Sequence, residues 1–204
     1  MKDFLMILFL ISFAYLLLDI LVHLCFSLIA HYRISKERYK NRMNHKVVYD
    51  YYRPVSILIS VNNISSLQEC LAKISNLDYS QYEVILIGNT EENSSFQKFI
   101  QEYHLKKVSK PYRKRLQTAY IEKIYEGTYE NIPITLLLKD RTLLVDDYNA
   151  GLNVAKYPYI LTLSDNIRVY KQTLKKLMQS TMEEENVVAS SGIILPKYTK
   201  KNFF

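Results

Sequence analysis

Apolar and polar positions along the chain follow two regimes. Residues 4–30, FLMILFLISFAYLLLDILVHLCFSLIA, are continuously apolar apart from Ser12, Asp19, His23 and Ser27, and about 20 such residues suffice to cross a bilayer as a helix. After Pro54 the pattern changes to short β-branched runs separated by amphipathic segments, the alternation that builds βα units around a mostly parallel sheet. The predicted strands are 55–61, 83–87, 134–138, 159–163 and 187–195, nearly continuous apolar runs of the kind covered on both faces. Ser66 and Glu69 form a capping-box pattern ahead of Leu67, Cys70, Leu71 and Ile74 at helical spacing. Residues 94–103, 145–155 and 172–185 read as further helices, and 106–115, with Pro111 and no acid, as a surface loop. The expected architecture is α/β: a Rossmann-like, mostly parallel sheet preceded by one transmembrane helix. Its parts are an anchor (1–31), a basic juxtamembrane linker (32–53) and an α/β domain (54–204).

Charge sets the expected topology. Lys2 is offset by Asp3 before the apolar run, whereas Arg33, Lys36, Arg38, Lys40, Arg42 and Lys46 follow it. The positive-inside bias therefore predicts a single-pass membrane protein with its N-terminus outside and its soluble domain cytoplasmic. The competing reading is a cleaved signal peptide, since residues 4–18 have h-region length, but no small-x-small cleavage site precedes the basic run. Asp19 and His23 share a helix face, and a mid-span carboxylate costs roughly 2.5–3.5 kcal/mol on insertion scales. Two readings stay open: compensation by a partner transmembrane helix, or protonation or bonding to His23 within the same helix.

Composition removes several functions. With 204 residues and 49% apolar positions the chain can bury a core without staples. Cys25 and Cys70 cannot form a disulfide framework, and His23, His31, His45 and His104 lack metal-ligand spacing. The net charge of +7 is concentrated in 33–53 and 106–115 without interleaved stacking aromatics, so no nucleic acid is expected as partner. Cations beside an apolar span instead meet anionic headgroups, at about 1 kcal/mol each near the surface. Tyr49, Tyr51 and Tyr52 suit the same interface.

Ligands of open α/β sheets sit beyond the carboxyl ends of the strands, where strand order reverses. That principle selects Asn62 and Asn63, Gly88, Asn89 and Thr90, and Ser164, Asp165 and Asn166. The stretch RPVSILISVNNISSLQECLAKISNLDYSQYEVILIGNT resembles the opening of family 2-type inverting glycosyltransferases of the cellulose-synthase and hyaluronan-synthase kind, which reads like P-x-V-S-I-I-I-P-x-Y-N-E, a helix, then Y-E-V-I-V-V-D-D-G-S. DDYNAGLNVAKYPYILTLSDNIRV is similar to that family's K-x-D-A-L-N-A-G followed by Y-I-L-x-L-D-A-D, and PYRKR and VVASSGIIL resemble pieces of bacterial membrane-bound members. The likeness covers 53–195 and implies a GT-A fold whose nucleotide-binding half would take a UDP-sugar with Mg²⁺ or Mn²⁺.

Matched residue by residue, the resemblance places the family's first acidic pair on Gly88 and Asn89, and its metal-binding D-x-D on Ser164, Asp165 and Asn166. Hard cations want oxygen ligands, and one carboxylate remains, in the middle position, which on an extended segment would point away from its neighbours. The family's Asn falls on Asn63 with Ile64 after it, and its G-G-K falls on Thr142, Leu143 and Leu144. Asp146 keeps its acid, and Asp147 adds another. The candidate nucleotide-sugar contacts are thus Asn63, Asn89, Asp146 and Asp165, with Asp165 also the candidate metal ligand and no catalytic residue assigned. The chain stops at Phe204, and the family's acceptor half with its general base has no counterpart in it.

Each residue also has a structural reading. Asp146 and Asp147 suit a helix N-terminus, Asn63 and Asn89 suit turns after strands, Ser164, Asp165 and Asn166 suit a turn or helix entry, and Arg113, Lys114 and Arg115 a solvated face, an anionic lipid or a diphosphate. Three functions follow as expectations. The first is a membrane-anchored glycosyltransferase-like half-domain without transferase activity, a scaffold beside another membrane protein or glycosyltransferase chain in surface polysaccharide synthesis. The second is an active or split transferase using Asp146, Asp147 and Asp165, and the third a fragment without function. The 187–195 strand is expected at a sheet margin, with exposed apolar surface that a partner covers.

Overall fold

The computed structural model describes residues 2–44, 53–90, 93–112, 114–140, 143–183 and 186–195. Tyr49, Tyr51, Tyr52, Arg113, Thr142 and the last two residues of the predicted 172–185 helix lie outside them. The chain divides into two units, Met1–Asp50 and Tyr51–Phe204.

In the first unit one helix, α1 (Lys2–Asn44), runs through both the apolar segment and the start of the basic one. Its Lys2–Lys36 portion, with a mean hydropathy of 2.7, is long and apolar enough to cross a membrane. Asp19 and His23 pair within it, Oδ1 to Nε2, at 3.6 Å, as their i,i+4 spacing permits.

The second unit is a mixed α/β fold, as expected. Its elements are β1 (Val55–Ser60), α2 (Ile64–Ile74), β2 (Tyr82–Asn89), α3 (Asn93–Glu102), β3 (Lys106–Val108), β4 (Ile121–Tyr129), β5 (Ile132–Lys139), α4 (Leu144–Val154), β6 (Tyr159–Ser164) and α5 (Thr173–Glu183). They build one six-stranded sheet in the order β3-β4-β5-β2-β1-β6. β5, β2, β1 and β6 are mutually parallel, and β3 and β4 antiparallel. Numbered along the chain, the parallel strands lie 3-2-1-4, the order of the Rossmann half, with its switch point between β1 and β6.

Side-chain alternation assigns the two faces. Ile57, Ile59, Leu86, Leu136 and Leu138 pack with Leu67 and Leu71 of α2, Phe96 and Phe99 of α3 and Leu174 and Met178 of α5. Leu58, Ile85, Ile87 and Leu137 pack with Ala150 and Val154 of α4 on the other side. Lys139 falls in step with Leu137, hence on the α4 face. Gly151 lets α4 approach closely, since a Cβ there would lie 3.1 Å from Leu58 Cδ2 and 3.3 Å from Ile87 Cδ1.

Three expectations need correction. First, helix α2 starts earlier than the Ser66/Glu69 pattern suggests: Asn63 is the N-cap, its Oδ1 accepting from Ser65 N at 2.9 Å, because a short Asx side chain reaches the first free amides best. Second, the 106–115 loop includes β3, which pairs with β4 in a hairpin-extended antiparallel edge. Strand β4 itself alternates weakly (IEKIYEGTY), and its link to β5 is a two-residue turn with φ of 47° at Glu130 and 72° at Asn131, the I′ geometry that suits strand twist but here lacks the usual Asn-Gly signal. Third, 187–195 forms no strand. Val188 is 99% exposed and Ile193 and Ile194 are also exposed, since a β-branched run forms a strand only where an edge pairs with it. The sheet margin on that side is β6.

Gly88, at the end of β2, carries the clearest packing constraint. A Cβ there would fall 2.3 Å from Cζ of Phe96, a fully buried ring. Overpacking of this kind costs about 1–3 kcal/mol, so Gly88→Ala is expected to destabilise the fold, with part of the loss relieved by Phe96→Leu in a double-mutant cycle read by denaturant unfolding. Strict additivity of the two changes would show that ring and glycine do not interact.

Candidate functional site

The carboxyl ends of the parallel strands gather most of the polar side chains singled out above. At their centre is Lys139, the last residue of β5 and only 1% exposed. Its Nζ lies 2.7 Å from Asp146 Oδ2 and 2.9 Å from Asp147 Oδ1, and donates to Asp140 O at 3.0 Å. Both acids belong to the first turn of α4, where carboxylates also meet the positive end of the helix dipole. Asp147 Oδ2 accepts from Ser60 Oγ of β1 at 2.7 Å, and Asp146 Oδ1 accepts from Ala119 N at 2.9 Å. One ammonium thus joins β5, α4, β1 and the segment leading into β4.

That segment, residues 114–119, is strapped across α4. Asn153 Oδ1 accepts from Arg115 N and Leu116 N, each at 3.0 Å, while its Nδ2 donates to Leu116 O at 2.9 Å. Asn149 Nδ2 donates to Gln117 O at 3.2 Å. Between strap and helix lies an open cleft of about 780 Å³ whose lining includes Lys114, Arg115, Gln117, Asp146 and Asn149.

Asp165 lies in a turn rather than on an extended segment: Ile167 N donates to Ser164 O at 3.0 Å. The buried carboxylate faces the exit of β1, where its Oδ2 accepts from Asn62 N at 2.7 Å and Asn63 N at 2.8 Å. The crevice between β1 and β6, the switch point where α/β sheets receive ligands, is therefore laced across by one side chain. Burial first, and the Asp165 carboxylate second, push the Cys70 thiol up to about 11. Burial, with Asp147 and Asp165 adding to it, likewise raises the Tyr148 hydroxyl above its ordinary value.

The four sequence candidates are distributed as follows. Asp146 lines the cleft and binds Lys139; Asp165 and Asn63 meet at the β1–α2 turn, Asn63 as helix cap; Asn89 ends β2 opposite Lys139 in the β2–β5 register. At Gly88 the Phe96 ring occupies the space a carboxylate would need. Among the described residues no three His, Cys, Asp or Glu side chains gather about a common point, and Asp146 and Asp147 converge on the Lys139 ammonium. Lys139 was not among the residues selected from the sequence. Its signal was a single lysine closing the otherwise apolar run ITLLLK, ahead of an Asp-Asp pair. Glu83, also buried, lies at the opposite end of the sheet, accepting from Ser56 Oγ at 2.6 Å and Lys156 N at 2.8 Å.

No family model matches the chain, and no curated protein matches it. Among solved structures, S. aureus TarS residues 1–349 in complex with UDP-GlcNAc aligns at 15% identity and a TM-score of 0.44, covering 64% of this chain and 31% of that one. A second structure of TarS 1–349 gives 13%, 0.46, 70% and 38%. The mannosyltransferase PcManGT from Pyrobaculum calidifontis in complex with GDP-Man and Mn²⁺ gives 13%, 0.41, 67% and 36%. The chain spans about a third of the length of these proteins.

Two outcomes test the site. Removing one partner of a buried ion pair costs about 3–5 kcal/mol, so Lys139→Met is expected to lower unfolding free energy by that much. Asp146→Asn and Asp147→Asn in the same chain should restore a large part of it, because they remove the stranded charges. For Cys70, the folded thiol titrates above the unfolded one, so its contribution is complete below about 8.5 and fades as pH rises towards 11. Stability should therefore fall over that window more steeply than in Cys70→Ala, as measured by urea melts at fixed pH values.

Proposed function

We propose that this chain is a membrane-anchored, glycosyltransferase-like protein that does not itself transfer sugar, but serves as a binding or scaffolding partner of another membrane protein or glycosyltransferase chain in surface polysaccharide synthesis. The reading rests on the ordered sequence resemblance across residues 53–195, on the Rossmann-like strand order, and on α1 as a helix long and apolar enough to cross a membrane; the positive-inside bias of its flanks favours a cytoplasmic soluble domain. The observation that carries it is the convergence of Asp146 and Asp147 on the Lys139 ammonium. A nucleotide-sugar transferase of the resembled kind needs acidic oxygens free to hold a cation against a diphosphate. Here a fixed monovalent cation of the protein already engages those acids, and Asp165 is held by the β1–α2 amides.

The strap cleft favours a second reading, retention of an anionic ligand such as a nucleoside diphosphate sugar without metal. Lys114 and Arg115 flank it and both side chains are exposed. Titration calorimetry of the full chain with UDP-sugars, with and without Mg²⁺, separates the readings. The scaffold reading expects no magnesium-dependent heat and no release of UDP on incubation. Heat independent of magnesium would support the second reading, and magnesium-dependent binding with turnover would overturn both.

A further inference from the structure

Ionisable side chains within a bilayer are turned towards protein or water rather than lipid, and α1 carries two of them at its centre. Asp19 is the middle residue of the Lys2–Lys36 portion, and His23 follows one turn on, about 6 Å along the axis. Their contact, Asp19 Oδ1 to His23 Nε2, is 3.6 Å long, beyond hydrogen-bond reach. Each therefore keeps hydrogen-bonding capacity that hydrocarbon cannot satisfy, and at mid-span neither side chain is long enough to reach water.

The other polar residues of the apolar run lie on the same side. At about 100° per residue, Ser12, Tyr15, Asp19, His23 and Ser27 fall within about a third of the helix circumference. Leu10, Leu17, Leu21, Leu24 and Leu28 fall on the opposite side, and the whole helix surface from Lys2 to Lys36 is exposed. One face thus matches lipid and the other calls for protein, the disposition found in membrane helices that associate through polar side chains.

Self-complementarity identifies the partner. Copies of one chain insert with one orientation and to one depth, so a parallel second α1 brings its Asp19 and His23 level with those of the first. Each copy supplies one acid and one base, and a two-fold arrangement satisfies both through two equivalent cross-chain pairs. A different helix would need a matching acid and base at the same depth. Arg33 and Lys36 lie past the apolar run, where headgroups and salt screen their mutual repulsion.

We propose that α1 is the contact of a parallel homodimer in the membrane, in which Asp19 of each copy pairs with His23 of the other. This pairing, which rests on the membrane-anchored reading above, makes a second copy of the chain its partner at the anchor.

The test uses the full chain in lipid vesicles, with Cys25→Ser so that only the buried Cys70 remains. A cysteine at Ser12→Cys, on the polar face, or at Leu10→Cys, on the opposite face, is oxidised with copper phenanthroline, and the disulfide-linked dimer is measured. The expected result is a dimer from position 12 and none above background from position 10. In the Ser12→Cys chain, Asp19→Leu with His23→Leu should lower the dimer association constant about tenfold. Mixing single variants gives the sharper readout. Asp19→Leu chains and His23→Leu chains each lack one half of the pair, so together they should cross-link several-fold more than either does alone. Equal cross-linking at 12 and 10, a dimer indifferent to the double change, or mixed chains no better than single ones would each overturn the proposal. Alkaline carbonate extraction separates the two levels: a chain that is released refutes the anchor as well, whereas an embedded but monomeric chain refutes the dimer alone.

Discussion

Taking an ammonium group out of water costs several kcal/mol, and the interior returns that only when opposite charges and hydrogen-bond acceptors meet it with good geometry. Lys139 satisfies this condition at the carboxyl end of the sheet, with two carboxylates and a backbone carbonyl within hydrogen-bonding distance. Much else at that end follows. The orientation of α4 is set by the need to present Asp146 and Asp147 together, and Gly151 permits the close helix–sheet approach that this requires. Ser60 and Ala119 then use the remaining carboxylate oxygens to tie β1 and the strap to the same point.

This clasp also determines what the rim can do chemically. The charges of Asp146 and Asp147 are already opposed by a fixed cation. Asp165 is committed in a different way, closing the switch-point crevice through two backbone amides. Gly88 completes the pattern on β2, because the Phe96 ring fills the volume that a side chain would take. The Lys139 ammonium, the β1–α2 amides and the Phe96 ring thus occupy three separate points of the rim.

The apolar exposure at α4's start and along 186–195 has a different character from the core. Within the sheet, hydrophobic residues are covered on both faces by α2, α3 and α5 on one side and α4 on the other. At the rim, Leu143 and Val145 remain in solvent at the start of α4, and Val188 and Ile193 remain in solvent beyond α5.

Local pattern alone determined the four parallel strands and helices α2 to α5, because strands buried on both faces, as β1, β2 and β5 are, must be continuously apolar, and helices that cover them must be amphipathic with period 3.6; β6 shares the apolar run although, at the margin, it is only partly buried. It determined α1 for the same reason, length and apolarity being properties of the segment itself. What the pattern left open depends on pairing across the fold. Strand β4 exists because β5 offers it an edge, and 187–195 forms none because no strand pairs with it. The meeting of Lys139 with Asp146 and Asp147 arises from the strand register and the α4 crossover together, so a lysine that reads locally as a strand terminus becomes a buried counter-ion only when the tertiary structure brings the helix start over it.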